Sequence, residues 1–258
     1  VNVLSLFAGI GGIELGLERA GMTTVGQVEI NPWCRRILAN HWPNVPQHDN
    51  VLTTPEWWNS VDRPDVDLVA AGFPCQPFSL AGKQLGREDP RWLWPATADV
   101  IRAVRPRYVL VENVSALVRD SWAWGTVLAD LHGLGFNAEW GTLRASDFGA
   151  PHNRERVYLV AYPASFDGEP RHRMGESGVG RPSLTARGLS GLAIPERRRA
   201  SDEWLASEPR VDRLADGIPG QVDRLFGLGN AVVPAVIAFI GALIVALDTS
   251  AHAAQRSR

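Results

Sequence analysis

The stretch Val3-Leu4-Ser5-Leu6-Phe7-Ala8-Gly9-Ile10-Gly11-Gly12 decides the fold. Its first half is an apolar run of strand length, and its second half is a glycine-rich turn that feeds a helical pattern from Ile13 to Ala20, closed by Gly21. A strand, a flexible turn and a helix in that order open a βαβ unit and lay backbone N–H groups at the carboxyl edge of a sheet. Further strand candidates, Thr24 to Ile30, Leu68 to Ala71 and Tyr108 to Val111, alternate with helical segments at Pro32 to Asn40 and Leu93 to Val104. This alternation predicts an α/β fold with a mostly parallel, doubly wound sheet. After a helix near Trp124 to Leu134, the runs Ala138 to Leu143 and Val157 to Tyr162 read as two more strands. The loop between them is too long for a tight hairpin, so mixed pairing is expected there.

The chain of 258 residues is 45% hydrophobic and 21% charged, with 25 Gly and 18 Pro, which fits one large core with many tight turns and excludes disordered and coiled-coil classes. Its two cysteines, Cys34 and Cys75, form neither a zinc spacing nor a disulfide framework, so a reducing compartment is expected and either thiol is free to work. The opening run carries no basic n-region, and a cytoplasmic protein is expected. Ala231 to Leu247 contains seventeen uncharged residues, at the lower limit for a membrane span. Pro234 suits a first helical turn, and the segment reads as a buried core helix rather than a membrane helix.

These features divide the chain into an α/β domain, 1–162, which the motifs below mark as the catalytic and cofactor-binding part, and a small irregular region, 163–224, rich in Gly, Pro, Ser and Arg. A segment at 225–250 is expected to return to the first domain, and a polar tail at 251–258 is expected to be frayed.

Glu29 lies twenty positions after Gly9, at the end of the second strand, where an acid in a doubly wound fold meets the ribose of a bound nucleoside. The pattern is not a dinucleotide fingerprint, because Glu14 stands where its third glycine belongs. A carboxylate beside a pyrophosphate would repel it, so an adenosine ligand without phosphates is expected. Downstream, Gly72-Phe73-Pro74-Cys75-Gln76-Pro77-Phe78-Ser79 carries Cys75 off the sheet's carboxyl edge between two prolines, placed like a nucleophile. Cys34 falls within the Pro32 helix and reads as packing. The strand from Tyr108 then delivers Glu112-Asn113-Val114 to the same edge, so that a thiol and a carboxyl group converge from neighbouring strands.

These segments, together with Arg154-Glu155-Arg156 and Gly229-Asn230-Ala231-Val232-Val233-Pro234, resemble in order the cytosine-5 DNA methyltransferase family. The resemblance covers nearly the whole chain outside the 163–224 insert, and its residue types suit the chemistry. Carbon 5 of cytosine is a poor nucleophile. A thiolate adding to carbon 6 makes the ring an enamine that can attack a methyl donor, the role implied for Cys75. Glu112 is implied to protonate or polarise the ring at N3 and the exocyclic amine. The sequence does not name the base that removes the carbon 5 proton.

The resemblance implies a Rossmann-like methyltransferase fold, S-adenosylmethionine as methyl donor with S-adenosylhomocysteine as product, and no metal. The implied cofactor contacts are Phe7, Ala8, Gly9, Ile10 and Gly12 for backbone and ring packing, Glu29 for the ribose and Asp49 for the adenine amine. Ile30, Asn50, Pro74, Leu93, Asn230 and Val232 complete the set. Asn50 stands where the family often has an apolar residue, and Ala231 where it often has Ser.

Double-stranded DNA is the implied partner of a monomeric enzyme, with the target cytosine swung out of the stack. Arg154 and Arg156 are implied to meet the flipped cytosine and its phosphate, Arg156 on the base carbonyl; the plain alternative is a solvated pair around Glu155. Residues Ser79 to Arg91 suit closure over the base, with Gly82 and Gly86 as hinges and Lys83, Arg87 and Arg91 facing phosphates. Between Arg171 and Arg213, nine arginines face six carboxylates, a basic bias that suits DNA within a chain of net charge −2. This short region resembles that of phage- or prophage-type members, from restriction-modification systems or solitary. Three other readings stay open: a tRNA cytosine-5 methyltransferase, an inactive cofactor- and DNA-binding regulator, and a Cys75–His152 hydrolase. The insert lacks the Cys-Phe-Thr segment of the tRNA branch, and the hydrolase leaves Glu29, Glu112 and the glycine turn unexplained.

Overall fold

The computed structural model describes residues 1–60, 62–74, 91–164 and 231–256. Among them, seven strands form one sheet: β1 (Asn2–Leu6), β2 (Thr23–Val28), β3 (Gln47–His48), β4 (Leu68–Ala71), β5 (Tyr108–Val114), β6 (Phe136–Arg144) and β7 (Glu155–Pro163). Their order is β3-β2-β1-β4-β5-β7-β6. β1 to β5 are parallel, and β7 runs antiparallel to both β5 and β6. The doubly wound α/β fold and its mixed end are therefore present as expected.

The helices are α1 (Gly12–Arg19), α2 (Pro32–His41), α3 (Thr54–Asn59), α4 (Trp94–Val104), α5 (Ala116–Arg119), α6 (Ser121–Gly133) and α7 (Pro234–Arg256). Strand alternation sorts the core into two layers. Leu4 and Leu6 of β1 join Val109 and Val111 of β5 on the face covered by α4 and α6, through Trp94, Ile101, Trp124 and Leu131. Val3, Leu68 and Leu110 point the other way, against Ile13 and Leu17 of α1 and Val236, Ile237, Ile240 and Ile244 of α7. Helices on both faces explain why β4 and the first four residues of β5 are buried without alternation.

The spacing of Val236, Ile237, Ile240 and Ile244 makes a helical stripe, and α7 lays that stripe on α1. The approach is close. A Cβ built on Gly16 would lie 2.5 Å from Ile237 Cβ, nearer than packed atoms allow. Farther along, Asp248 accepts a hydrogen bond from the Tyr108 hydroxyl at 3.1 Å and pairs with Arg107 at 2.6 Å. The helix runs to Arg256, which corrects the expectation of a frayed tail from residue 251. Its Ala-rich last turns favour helix, and no proline interrupts them. Among the described residues, no helix is long and apolar enough to cross a membrane.

Two further differences from the sequence reading bear on the site. β5 continues to Val114, because β7 goes on pairing with it until Val114 faces Arg156; Glu112 and Asn113 are thus strand residues. β3 and α3 were not anticipated, since they are two and six residues long and carry no period. The chain winds from β1 to β2 and β3 on one side and from β4 to β5 on the other. That reversal opens a crevice above the carboxyl ends of β1 and β4.

Candidate active site

The crevice is a cavity of about 560 Å³ lined from the ends of β1, β2, β4 and β5, from the start of β7 and from the approach to α7. Its first wall is the turn after β1. Phe7 and Gly9 have φ of 58° and 57°, and Gly11 has 93°. Phe7 holds the left-handed conformation despite its side chain, a strain of the kind that collects at ligand sites. Glycine is required again at Gly12, where a Cβ would come within 2.6 Å of the Val232 carbonyl oxygen.

Glu29 ties this turn to the end of β2. The Gly9 N–H donates to Glu29 Oε2 and the Asn31 N–H to Glu29 Oε1, both at 2.7 Å. Arg35 then donates to the carbonyls of Glu29 and Ile30, both at 2.9 Å. Carboxylate and backbone are thus both fixed, and each carboxylate oxygen keeps capacity to accept a further bond. Beside it, Ile30 is 78% exposed, an apolar side chain left uncovered on the cavity wall.

The opposite wall carries Glu112, which is 8% exposed. Arg156 Nε lies 3.3 Å from Glu112 Oε1, a charge contact outside hydrogen-bond geometry, and Oε1 has no hydrogen-bond donor among the described residues. Burial pushes the Glu112 carboxyl up from its ordinary value, against the opposing pull of Arg156 and Arg154. Burial and the neighbouring Arg156 push the Arg154 guanidinium down. Gly72 leaves room for this carboxyl, since a Cβ there would stand 3.3 Å from Glu112 Oε2. Next along β5, Asn113 Nδ2 donates to the Phe73 carbonyl at 3.0 Å, and its Oδ1 accepts from the Val114 N–H at 2.8 Å.

Phe7, Ala8, Gly9, Ile10, Gly12, Glu29, Ile30, Pro74, Glu112, Arg154, Arg156 and Val232 therefore border one cavity. Asp49, Asn50 and Leu93 do not border it: Asp49 is exposed, Asn50 accepts from the Leu52 N–H as a helix cap, and Leu93 caps α4. Cys75, Asn230, the Ser79 to Arg91 segment up to residue 90 and the insert from residue 165 lie outside the described residues. The reading of Arg154 and Arg156 as a pair around Glu155 fails, because Glu155 pairs with Arg144 at 3.0 Å across the β6–β7 register while Arg156 faces Glu112. Glu14 also departs from expectation. It does not border the cavity but is fully buried on the inner face of α1, so it says nothing about phosphate repulsion. Sequence reasoning missed Arg35 and Asn113, and treated Cys34 as packing alone although it is buried and also borders the cavity.

Residues 1–181 match the family described as C-5 cytosine-specific DNA methylase. The chain belongs to this family. Among its relatives is the type II methyltransferase M.NgoBI of Neisseria gonorrhoeae, 40% identical over 62% of this chain and 50% of that protein. The type II methyltransferase M2.BsuMI of Bacillus subtilis is 31% identical over 86% of this chain and 62% of that protein. This methylase-family chain spans about half the length of the curated relatives it matches. Two solved structures share its fold. The methyltransferase EhMeth of Entamoeba histolytica has a TM-score of 0.60 at 18% identity, over 97% of this chain and 98% of that one. The DNMT2 of Spodoptera frugiperda has a TM-score of 0.54 at 24% identity, over 70% of this chain and 57% of that one.

Proposed function

We propose that this methylase-family chain transfers a methyl group from S-adenosylmethionine to carbon 5 of a cytosine in double-stranded DNA. One observation carries the reading: a carboxylate locked to a glycine turn and a buried carboxyl with an unserved oxygen face a single cavity. The residues present fit an adenosyl ligand. Glu29 keeps acceptor capacity for a ribose diol, and exposed Ile30 offers an apolar surface to a flat ring. When bound, S-adenosylmethionine supplies a methyl group activated by its positive sulfonium. Of the proposed contacts, Phe7, Ala8, Gly9, Ile10, Gly12, Glu29, Ile30, Pro74 and Val232 border the cavity, while Asp49, Asn50, Leu93 and Asn230 rest on the family resemblance alone.

In this reading the Cys75 thiolate adds to carbon 6 of the flipped cytosine, while Glu112 holds a proton at N3 so that the ring can accept the electron pair. Burial favours that protonated form of Glu112. Arg156, beside Glu112, hydrogen-bonds the base carbonyl, and Arg154 meets the phosphate. After methyl transfer a base takes the carbon 5 proton, the C–H electron pair re-forms the carbon 5–carbon 6 double bond, the thiolate leaves carbon 6, and the N3 proton returns to Glu112. The region 163–224 reads the target bases and residues 225–250 return to the catalytic domain.

The test is transfer of labelled methyl from S-adenosylmethionine to DNA and, separately, to tRNA, followed by mapping of the modified base. Label on carbon 5 of cytosine in DNA is expected; label on adenine, or on RNA alone, overturns the reading. A covalent adduct with 5-fluorocytosine DNA that is lost in Cys75→Ala assigns the nucleophile, and an adduct kept by that variant removes the assignment.

A further inference from the structure

Beneath the glycine turn, three polar side chains meet with no exposure: Ser5 of β1, Glu14 of α1 and Gln27 of β2. Ser5 and Gln27 are register partners on adjacent strands, on the face that α1 covers. Gln27 Nε2 donates to Glu14 Oε1 at 3.4 Å, a long bond. Glu14 Oε2, Gln27 Oε1 and Ser5 Oγ have no hydrogen-bond partner among the described residues. A count of protons shows what this cluster needs. Two orphaned acceptors, Glu14 Oε2 and Gln27 Oε1, share the Ser5 hydroxyl proton and Glu14's own N–H, and both of these donors favour the Glu14 carboxyl. With Glu14 ionised, one of them stays unserved in the core, at a cost of about 1–3 kcal/mol. With Glu14 protonated, Oε2 becomes a donor and both needs are met.

We infer that Glu14 is a positioning residue for the cofactor end of the site, acting as a neutral carboxylic acid that joins α1 to β1 and β2. The inference rests on the S-adenosylmethionine reading above. The three joined elements are those whose ends build the cofactor wall. β1 runs into the Phe7 turn, α1 starts at Gly12 against Val232, and Gln27 lies two residues before Glu29, whose carboxylate holds Gly9. A change in how α1 seats on the strands therefore moves Gly9 and Glu29 relative to each other.

The surroundings favour the neutral acid. Burial pushes the Glu14 carboxyl up to about 7, with its own N–H, Ser5 and Gln27 opposing and the Glu18 carboxylate adding to the rise. Glu18, one turn on, accepts from Thr24 Oγ1 at 2.9 Å and Trp42 Nε1 at 2.7 Å. The strands present only neutral Ser5 and Gln27, and α7 presents apolar Val236, Ile237 and Ile240. Among the described residues, no cation contributes at Glu14. As pH rises through neutrality the acid loses its proton, the junction gains an unpaired buried charge, and the cofactor wall loosens.

The experiment measures S-adenosylhomocysteine binding by calorimetry and thermal unfolding without ligand, for the wild type and Glu14→Gln. Between about pH 6 and about pH 8.5 the wild type should lose about tenfold in affinity and its unfolding midpoint should fall, while Glu14→Gln holds its affinity and its midpoint falls less, the remaining fall belonging to Glu112. Binding with parallel pH profiles in the two proteins overturns the proposal alone. Absence of binding at every pH in both proteins overturns the S-adenosylmethionine reading and takes the proposal with it. Should Glu14→Gln fail to fold, carbon-13 NMR of glutamate carboxyls in the wild type reads the same group. A buried carboxyl that titrates near neutrality and is still present in Glu112→Gln supports the proposal, and its absence there overturns it.

Discussion

Asn113 bridges the two strands that carry the proposed chemistry: its amide donates to the Phe73 carbonyl at 3.0 Å, two residues before Cys75, while its neighbour Glu112 faces the cavity. The amide is used at both ends, because its oxygen accepts from the Val114 N–H. One side chain thus extends the β4–β5 pairing past its last ladder residues and ties the turn that leads to Cys75 to the strand of the carboxyl.

Asn113→Ala removes both bonds and strands a buried carbonyl, so it should cost about 1–3 kcal/mol of stability. It should also slow adduct formation with 5-fluorocytosine DNA while leaving S-adenosylhomocysteine affinity within about twofold, since no cofactor-wall bond is touched. Denaturant melts and single-turnover kinetics check this. Unchanged adduct rates would remove Asn113 from the positioning of the strand ends.

Glu29→Gln keeps the shape of the side chain but turns one of its two acceptor oxygens into an NH₂ group, which meets the N–H of Gly9 or of Asn31 donor to donor. Loss of a charge-assisted bond of this kind predicts S-adenosylhomocysteine binding weaker by roughly tenfold to a hundredfold. Calorimetry decides it. An unaltered dissociation constant would detach Glu29 from the ligand wall.

Glu112→Gln should lower the single-turnover rate far more than it lowers DNA affinity, because the proton matters only once the ring is attacked. The sign of the pH dependence follows from burial. The folded carboxyl titrates above its ordinary value of 4.5. Its contribution to stability is therefore full below that value and is lost as pH rises from there through the raised folded value. The Gln variant should lose less stability over that range, keeping only the share that belongs to Glu14, and the wild-type rate should fall along the same limb as the proton leaves. A variant and wild type that melt in parallel across pH would contradict this account.

Gly16→Ala should destabilise the protein by about 1–3 kcal/mol, because the new methyl meets both the Ile237 side chain and the Pro234 carbonyl at 2.5–2.7 Å. Gly125→Ala is the control. Within α6 its Cβ would meet nothing within 4 Å, so the higher helix propensity of alanine should stabilise by about 0.5–1 kcal/mol. Thermal melts of the two variants should therefore move in opposite directions.

What the sequence made legible was the set of strand ends. The turn at Phe7 to Gly12, the acid at Glu29 and the acid at Glu112 each follow an apolar run that could only be a strand in an α/β pattern, and parallel strands bring their carboxyl ends to one edge. Side-chain direction inside the elements was less legible. Glu14 looks like a site residue by its place after the turn, yet Ile13 and Leu17 mark the inner stripe of α1 and Glu14 lies on it. A stricter reading of the helical period would have turned it inward. Asn113 carried no such signal, since a bond to Phe73 depends on two strands forty residues apart lying side by side. The edge elements β3 and α3 and the full length of α7 were hidden because they are short or polar, and tertiary packing rather than pattern sustains them.

The contact between Gly12 and Val232 joins the beginning of the chain to a segment more than two hundred residues later. During synthesis on the ribosome, the first strands can pair long before that later segment exists. The cavity wall, and the cover over α1, must wait until Val232 and the helix behind it have left the exit tunnel. Ligand capture is thus a late event in biogenesis, and a chain stalled upstream of Val232 would expose the apolar side of α1 to the cell's quality control.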